Sequence, residues 1–171
     1  MRKFCTKSSN TAIKIIVALF LAILILFIEL IIASYTLLVK TDYNISLTKL
    51  SEDFSCVVIS DLHGSSFGKN NKRLIQKVKN CEPDVIFTVG DMVNEYTEDY
   101  SYLSALYKAL SEVAPVYCSL GNHEISHPEA ENIKQILSEN ATLLDNEYID
   151  TTINGNEIRL GGLMGYHPAI E

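Results

Sequence analysis

Glycine and proline are scarce in this chain, at 8 and 4 of 171 residues, which excludes a collagen-like or low-complexity polymer. The four cysteines form no Cys-x-x-Cys and no Cys/His pattern with zinc-site spacing. Neither a Gly-x-Gly-x-x-Gly nor a Walker loop is present, which sets aside a nucleotide-binding α/β domain. What is plentiful is apolar surface. A hydrophobic fraction of 47% excludes wholesale disorder, and the length suits one domain with an appendage.

Charge divides the chain in two. Residues 1–40 hold Arg2, Lys3, Lys7, Lys14 and Lys40 against Glu29 alone. The remainder carries nine basic and 20 acidic residues, a net charge of −11. So acidic a domain is a poor partner for the nucleic-acid backbone, and no nucleic acid is expected among its partners. It can supply carboxylates to cations.

Residues 15–39 are apolar apart from Glu29 and a few small or amphipathic positions, and about 20 such residues span a bilayer. An ionised Glu29 costs roughly 2.5–3.5 kcal/mol at a helix centre. The 18 Leu, Ile, Val and Phe of the segment each contribute about −0.3 to −0.6 kcal/mol, so insertion wins and Glu29 reads as a tolerated defect. A cleaved signal would have a shorter apolar core, and Ile31 is too bulky for the position three before a cut at Ala33-Ser34. The expectation is a basic cytoplasmic stretch over 1–14, which includes Cys5, and a signal-anchor helix over 15–39. A linker over 40–53 and an extracytoplasmic domain over 54–171 follow, in a single-pass protein of the cell membrane.

Within that domain three short β-branched runs recur: Cys56-Val57-Val58-Ile59, Val85-Ile86-Phe87-Thr88-Val89 and Val116-Tyr117-Cys118-Ser119-Leu120. Their continuous apolar character predicts strands buried on both faces, with Cys56 and Cys118 as small core residues. Cys56, Cys81 and Cys118 are odd in number and do not read as a disulfide framework. Helical spacing lies between the strands. Leu74, Ile75 and Val78 share one face; Leu103, Leu106, Leu110 and Val113 share another, behind Thr97, Glu98 and Asp99 as cap and acidic first turn. A third helix is expected to open at the capping box Ser126-His127-Pro128-Glu129 and to bury Ile133, Ile136 and Leu137. This is a βαβαβ unit, and its sheet is parallel. Tyr148-Ile149 and Ile158-Arg159-Leu160 flank Asn154-Gly155-Asn156 as a hairpin. His167-Pro168 reads as the opening of a further helix.

Each strand run ends in polar residues: Ser60-Asp61-Leu62-His63, Gly90-Asp91 and Gly121-Asn122-His123-Glu124. Successive clusters are one βα unit apart, so parallel strands deliver all three to the carboxyl edge of the sheet, where open α/β sheets bind ligands. Singly, an Asp or Gly-Asn at a strand end is ordinary turn chemistry. Jointly, carboxylate, imidazole and amide oxygen on one edge are ligands for divalent Mn, Fe or Zn.

Asp61-x-His63, Gly90-Asp91 and Gly121-Asn122-His123-Glu124, in that order, resemble the first three motifs of the calcineurin-like metallophosphoesterase superfamily. The N-terminal span followed by Val57-Val58-Ile59-Ser60-Asp61-Leu62-His63-Gly64 is similar to its small membrane-associated bacterial branch. The resemblance implies an α/β fold, a two-sheet αββα sandwich flanked by helices. It implies a phosphoesterase that cleaves a phosphate mono- or diester or a pyrophosphate with a hydroxide activated by two metals. It places Asp61 and His63 on the first metal, Asp91 between both, Asn122 on the second, and His123 at the leaving oxygen. The substrate would be a phosphorylated small molecule or a lipid-linked one. The family's later histidines and its Gly-His-x-His are missing, and its second motif often continues to an Asp where this chain has Asn94. His127 and His167 fit helix starts better than ligands. The expectation is therefore the first part of the sandwich, incomplete at its C-terminal side. The alternative is a catalytically silent, membrane-tethered domain that binds a metal or other ligand.

Overall fold

The computed structural model describes residues 7–163, which leaves Arg2, Lys3, Cys5, His167 and Pro168 outside the described residues. The chain divides into two compact units, Met1–Asp42 and Tyr43–Glu171. The first unit is built on α1 (Lys7–Thr36). Its stretch Thr11–Ala33 is long and apolar enough to cross a membrane, and none of it is buried. A helix apolar on every side needs a lipid or protein surround. The helix ends three residues before the expected limit at Val39.

The second unit carries a four-stranded sheet in the order β1-β2-β3-β4, all parallel, with β1 (Cys56–Ile59), β2 (Val85–Val89), β3 (Val116–Ser119) and β4 (Thr142–Leu143). Three helices follow the strands: α2 (Lys72–Lys79), α3 (Ser101–Ser111) and α5 (Ala130–Asn140), with a five-residue α4 (Asn122–Ser126) before the last. The antiparallel pair β5 (Glu147–Ile153) and β6 (Asn156–Gly162) forms a second sheet. The expected α/β architecture, a parallel sheet with the start of a second sheet, is present.

One face of the parallel sheet is the core. Ile86, Thr88, Val116 and Cys118 lie against Leu103, Leu106, Tyr107 and Leu110 of α3 and Ile133 and Leu137 of α5, all buried. Fully burying such an aliphatic side chain contributes about 1.5–3 kcal/mol. The hydroxyls of Thr88 and Tyr107 meet at 2.7 Å, so the polar groups in this core satisfy each other. Burial raises the Tyr107 phenol well above its ordinary range. On the opposite face Tyr117 reaches Thr151 of β5 at 3.0 Å, while Val58 and Val89 are exposed.

Several boundaries differ from the sequence expectation for identifiable reasons. β1 is an edge strand with helices on one face only, so Cys56 is exposed rather than a core residue. α3 begins at Ser101, not after Thr97; Asp99 Oδ1 accepts the Ser101 N–H, which draws its carboxyl below the usual carboxylate range. Val113 lies beyond the end of α3. The Ser126 capping box does not form. Ser126 closes α4, and His127, the residue before Pro128, is extended, as proline demands of its predecessor. His127 is buried, and its Nδ1 accepts the Glu129 N–H at 3.1 Å.

The segment read as a linker is pinned at its end. Asn156, 4% exposed, accepts the Ser51 and Glu52 N–H groups on Oδ1 and donates Nδ2 to the Glu52 carbonyl.

Cysteine reactivity tests the sheet's two faces. Burial pushes the Cys118 thiol up to about 12, whereas Cys56 is exposed. Since the thiolate is the nucleophile, iodoacetamide at pH 8 should alkylate Cys56 and spare Cys118 in the folded chain, read by peptide mass spectrometry. Equal labelling of both would place β3 outside the core.

Candidate metal centre

The parallel register brings the three polar clusters together. Cys56 to Ile59 pair with Val85 to Thr88, and Ile86 to Val89 with Val116 to Ser119, so the strands end nearly level and their following residues share one edge. Beyond the strands the backbone continues to interlock. Asp61 N–H donates to the Gly90 carbonyl, His63 N–H to that of Asp91, Gly64 N–H to that of Met92, and Gly90 N–H to that of Ser119.

The close approach at this edge requires glycine. A Cβ on Gly90, whose φ is +68°, would lie 2.6 Å from Gly121 Cα. A Cβ on Gly121 would overlap the Asp91 carboxylate and lie 2.5 Å from its backbone nitrogen. The two glycines let β2 and β3 loops touch main chain to main chain, and Asp91 lies directly over Gly121. Three non-glycine residues of the site, Asp61 (φ 56°), His63 (φ 47°) and Asp91 (φ 54°), adopt the left-handed conformation. Each costs of order 1–3 kcal/mol, and such strain persists only where surrounding contacts over-determine it. One such contact is Asn94 Nδ2 donating to the His63 carbonyl at 2.8 Å.

The result is a candidate ligand group. One side-chain atom from each of His63, Asp91 and His123 lies within 4.8 Å of the others, and all three residues are half-buried. The His63 and His123 rings stand edge to face with centroids 4.7 Å apart. Asp91 Oδ1 accepts the His123 N–H at 3.2 Å. Asp61 stands beside the group, with Oδ1 3.6 Å from His63 Nε2. Asn122 opens α4, one residue before His123, and is exposed. Two imidazoles and a carboxylate on a strained, half-buried edge suit a divalent transition ion.

The sequence did not single out Glu124 for a role. It is 1% exposed, and its carboxylate accepts the N–H groups of Asp91, Met92, Val93 and Gly121 at 2.7–3.0 Å. The signal was present in the spacing. Gly121 is the cap of α4 and Glu124 its third residue, the arrangement in which a carboxylate returns to the cap N–H.

Two imidazoles and a carboxylate gathered at the carboxyl edge of a parallel α/β sheet mark a candidate metal-binding α/β domain. The model of the calcineurin-like phosphoesterase family matches residues 54–166, and the chain belongs to that family. A protein called uncharacterized metallophosphoesterase Cj0846, from Campylobacter jejuni, is 32% identical over 128 residues, which are 71% of this chain and 33% of the relative. The chain therefore spans about a third of that relative's length.

The glycine contact is directly testable. Gly121→Ala should displace Asp91 and weaken Mn2+ binding by about 10–100-fold, measured by calorimetry, while far-UV circular dichroism stays native. Wild-type affinity in this variant would contradict the packing of Asp91 on Gly121.

Proposed function

We propose that the chain belongs to a membrane-anchored, metal-dependent phosphoesterase, which hydrolyses a phosphate mono- or diester or a pyrophosphate. The observation that carries this is the convergence of His63, Asp91 and His123 at the sheet's carboxyl edge, in a chain of this family. In this reading Asp61 and His63 would hold one divalent ion and Asn122 a second, with Asp91 as the residue shared between the two sets. Mn, Fe and Zn all suit these ligands. Bound cations supply charge to clamp a phosphate and lower the pKa of water. The residues themselves do the rest. Asp91 would link the two ligand sets, the neutral Asn122 amide would add an oxygen without adding charge, and His123 would stabilise or protonate the leaving oxygen. The substrate is a phosphorylated small molecule or a lipid-linked one, and the acidic balance of residues 41–171 disfavours nucleic acid.

A second reading is favoured by the size of the ligand group. Among the described residues it holds three side chains, enough for one ion. A domain that binds one ion and turns nothing over would fit that count. Metal stoichiometry separates the two, with two equivalents of Mn2+ and cleavage of an aryl phosphate diester for the enzyme, or one loosely held ion and no turnover for the binding domain. In a turnover-competent protein Asp91→Asn should reduce the rate at least about 100-fold with a stability change within about 1 kcal/mol. Near-normal activity would refute the shared role of Asp91.

The N-terminal charge asymmetry supports an orientation with the N-terminus in the cytoplasm and residues 41–171 outside. Protease added to intact cells should then digest that part of the chain, whereas protection until the membrane is broken would reverse the assignment.

A further inference from the structure

From the hydrogen bonds of its buried carboxylate we infer that Glu124 is a positioning residue, which sets the Asp91 carboxylate for metal by holding the Asp91-Met92-Val93 main chain. The inference rests on the phosphoesterase reading above. A carboxylate offers about four acceptor sites, and here all four are used. Oε2 takes the N–H groups of Asp91 and Gly121, each at 2.8 Å, and Oε1 those of Met92 and Val93 at 2.7 and 3.0 Å. Three consecutive peptide groups are thus turned toward one point. That direction is imposed just where Asp91 adopts φ 54°, an unfavourable conformation that its own side chain does not select. The fourth bond, to Gly121, ties the same carboxylate to the loop on which Asp91 rests, and His123 N–H in turn meets Asp91 Oδ1. Among the described residues, the hydrogen bonds of the Glu124 carboxylate go to main-chain N–H groups. It acts through the peptide groups of a residue that carries a ligand atom.

Substituting the carboxylate with its isosteric amide isolates this role. In Glu124→Gln one oxygen remains, so in either orientation of the amide its NH2 faces two of the four N–H groups, those of Asp91 and Gly121 or those of Met92 and Val93, donor against donor. In both orientations the Asp91-Met92-Val93 main chain loses part of its hold with little change in volume. The test uses the full chain in detergent micelles and two readouts, amide hydrogen exchange at residues 91–93 and titration with Mn2+ followed by calorimetry and electron paramagnetic resonance. The expected result is faster exchange at 91–93, native exchange in the β1, β2 and β3 strands, and Mn2+ affinity reduced about 10–100-fold with a changed line shape. A role confined to stability would lower the melting temperature but leave the affinity and line shape of the folded protein as in wild type, and that outcome overturns the inference. Unchanged exchange at 91–93 overturns it as well. If Glu124→Gln does not fold, Glu124→Asp replaces it. The shorter carboxylate keeps the charge but cannot reach all four donors, so a smaller loss of Mn2+ affinity is expected, and wild-type affinity refutes the role. Should the wild-type chain itself bind no Mn2+, the phosphoesterase reading fails, while the exchange at 91–93 still decides whether Glu124 holds the loop.

Discussion

The edge of this sheet depends on a buried carboxylate surrounded by main-chain N–H groups. Glu124 is almost wholly removed from water, and four peptide donors replace its hydration. Burial of an ionised group without such compensation is prohibitive. With it, the charge becomes a fixed point to which two loops are fastened. The left-handed corners at Asp61, His63 and Asp91 run against local preference, so tertiary contacts must hold them. Glu124 supplies part of that restraint, Asn94 supplies more by gripping the His63 carbonyl, and the main-chain bonds from the Asp61–Gly64 loop to the Gly90–Met92 loop supply the remainder.

The division of labour between core and edge follows from the parallel architecture. One face of the sheet is sealed by α3 and α5, with a hydroxyl pair, Thr88 and Tyr107, inside it. That rigid layer fixes where the strands end. The loops beyond can then spend strain on orientation, because the strands that carry them are anchored in a buried core. The ligand group is assembled from three chain segments about 30 residues apart, and none of them could gather the ligands alone.

Much of this was legible beforehand. The three apolar runs, their parallel pairing, the hairpin turn and the meeting of His63, Asp91 and His123 at one edge follow from hydrophobic patterning and the spacing of βα units, whereas of the other two expected ligands Asp61 stands beside that group and Asn122 is exposed at the start of α4. The misses share a physical origin, since each concerns a choice that only tertiary surroundings decide. Cys56 sits in a run as apolar as any other, but which strand becomes the edge is set by pairing order. Ser126 had the spelling of a helix cap, yet α4 had already been started by Gly121 and Glu124, and Pro128 forced His127 to be extended. Thr142-Leu143 is too short to show a period, and it joins the sheet because α5 delivers it beside β3. Glu124 was visible only as a motif letter, since its four donors come from two separate loops.

The contact between Gly90 and Gly121 constrains how the protein can vary. An added methyl on Gly90 meets the main chain of Gly121 foremost, and one on Gly121 meets both the carboxylate and the backbone nitrogen of Asp91. Shrinking a neighbour therefore offers no full relief, because the main-chain clash stays and a smaller residue at Asp91 would also lose the carboxylate. Such a pair has few second-site suppressors: a lesion at either position is repaired by reversion or by rebuilding both loops, so neutral drift is closed at these two sites even where the adjoining strands tolerate exchange.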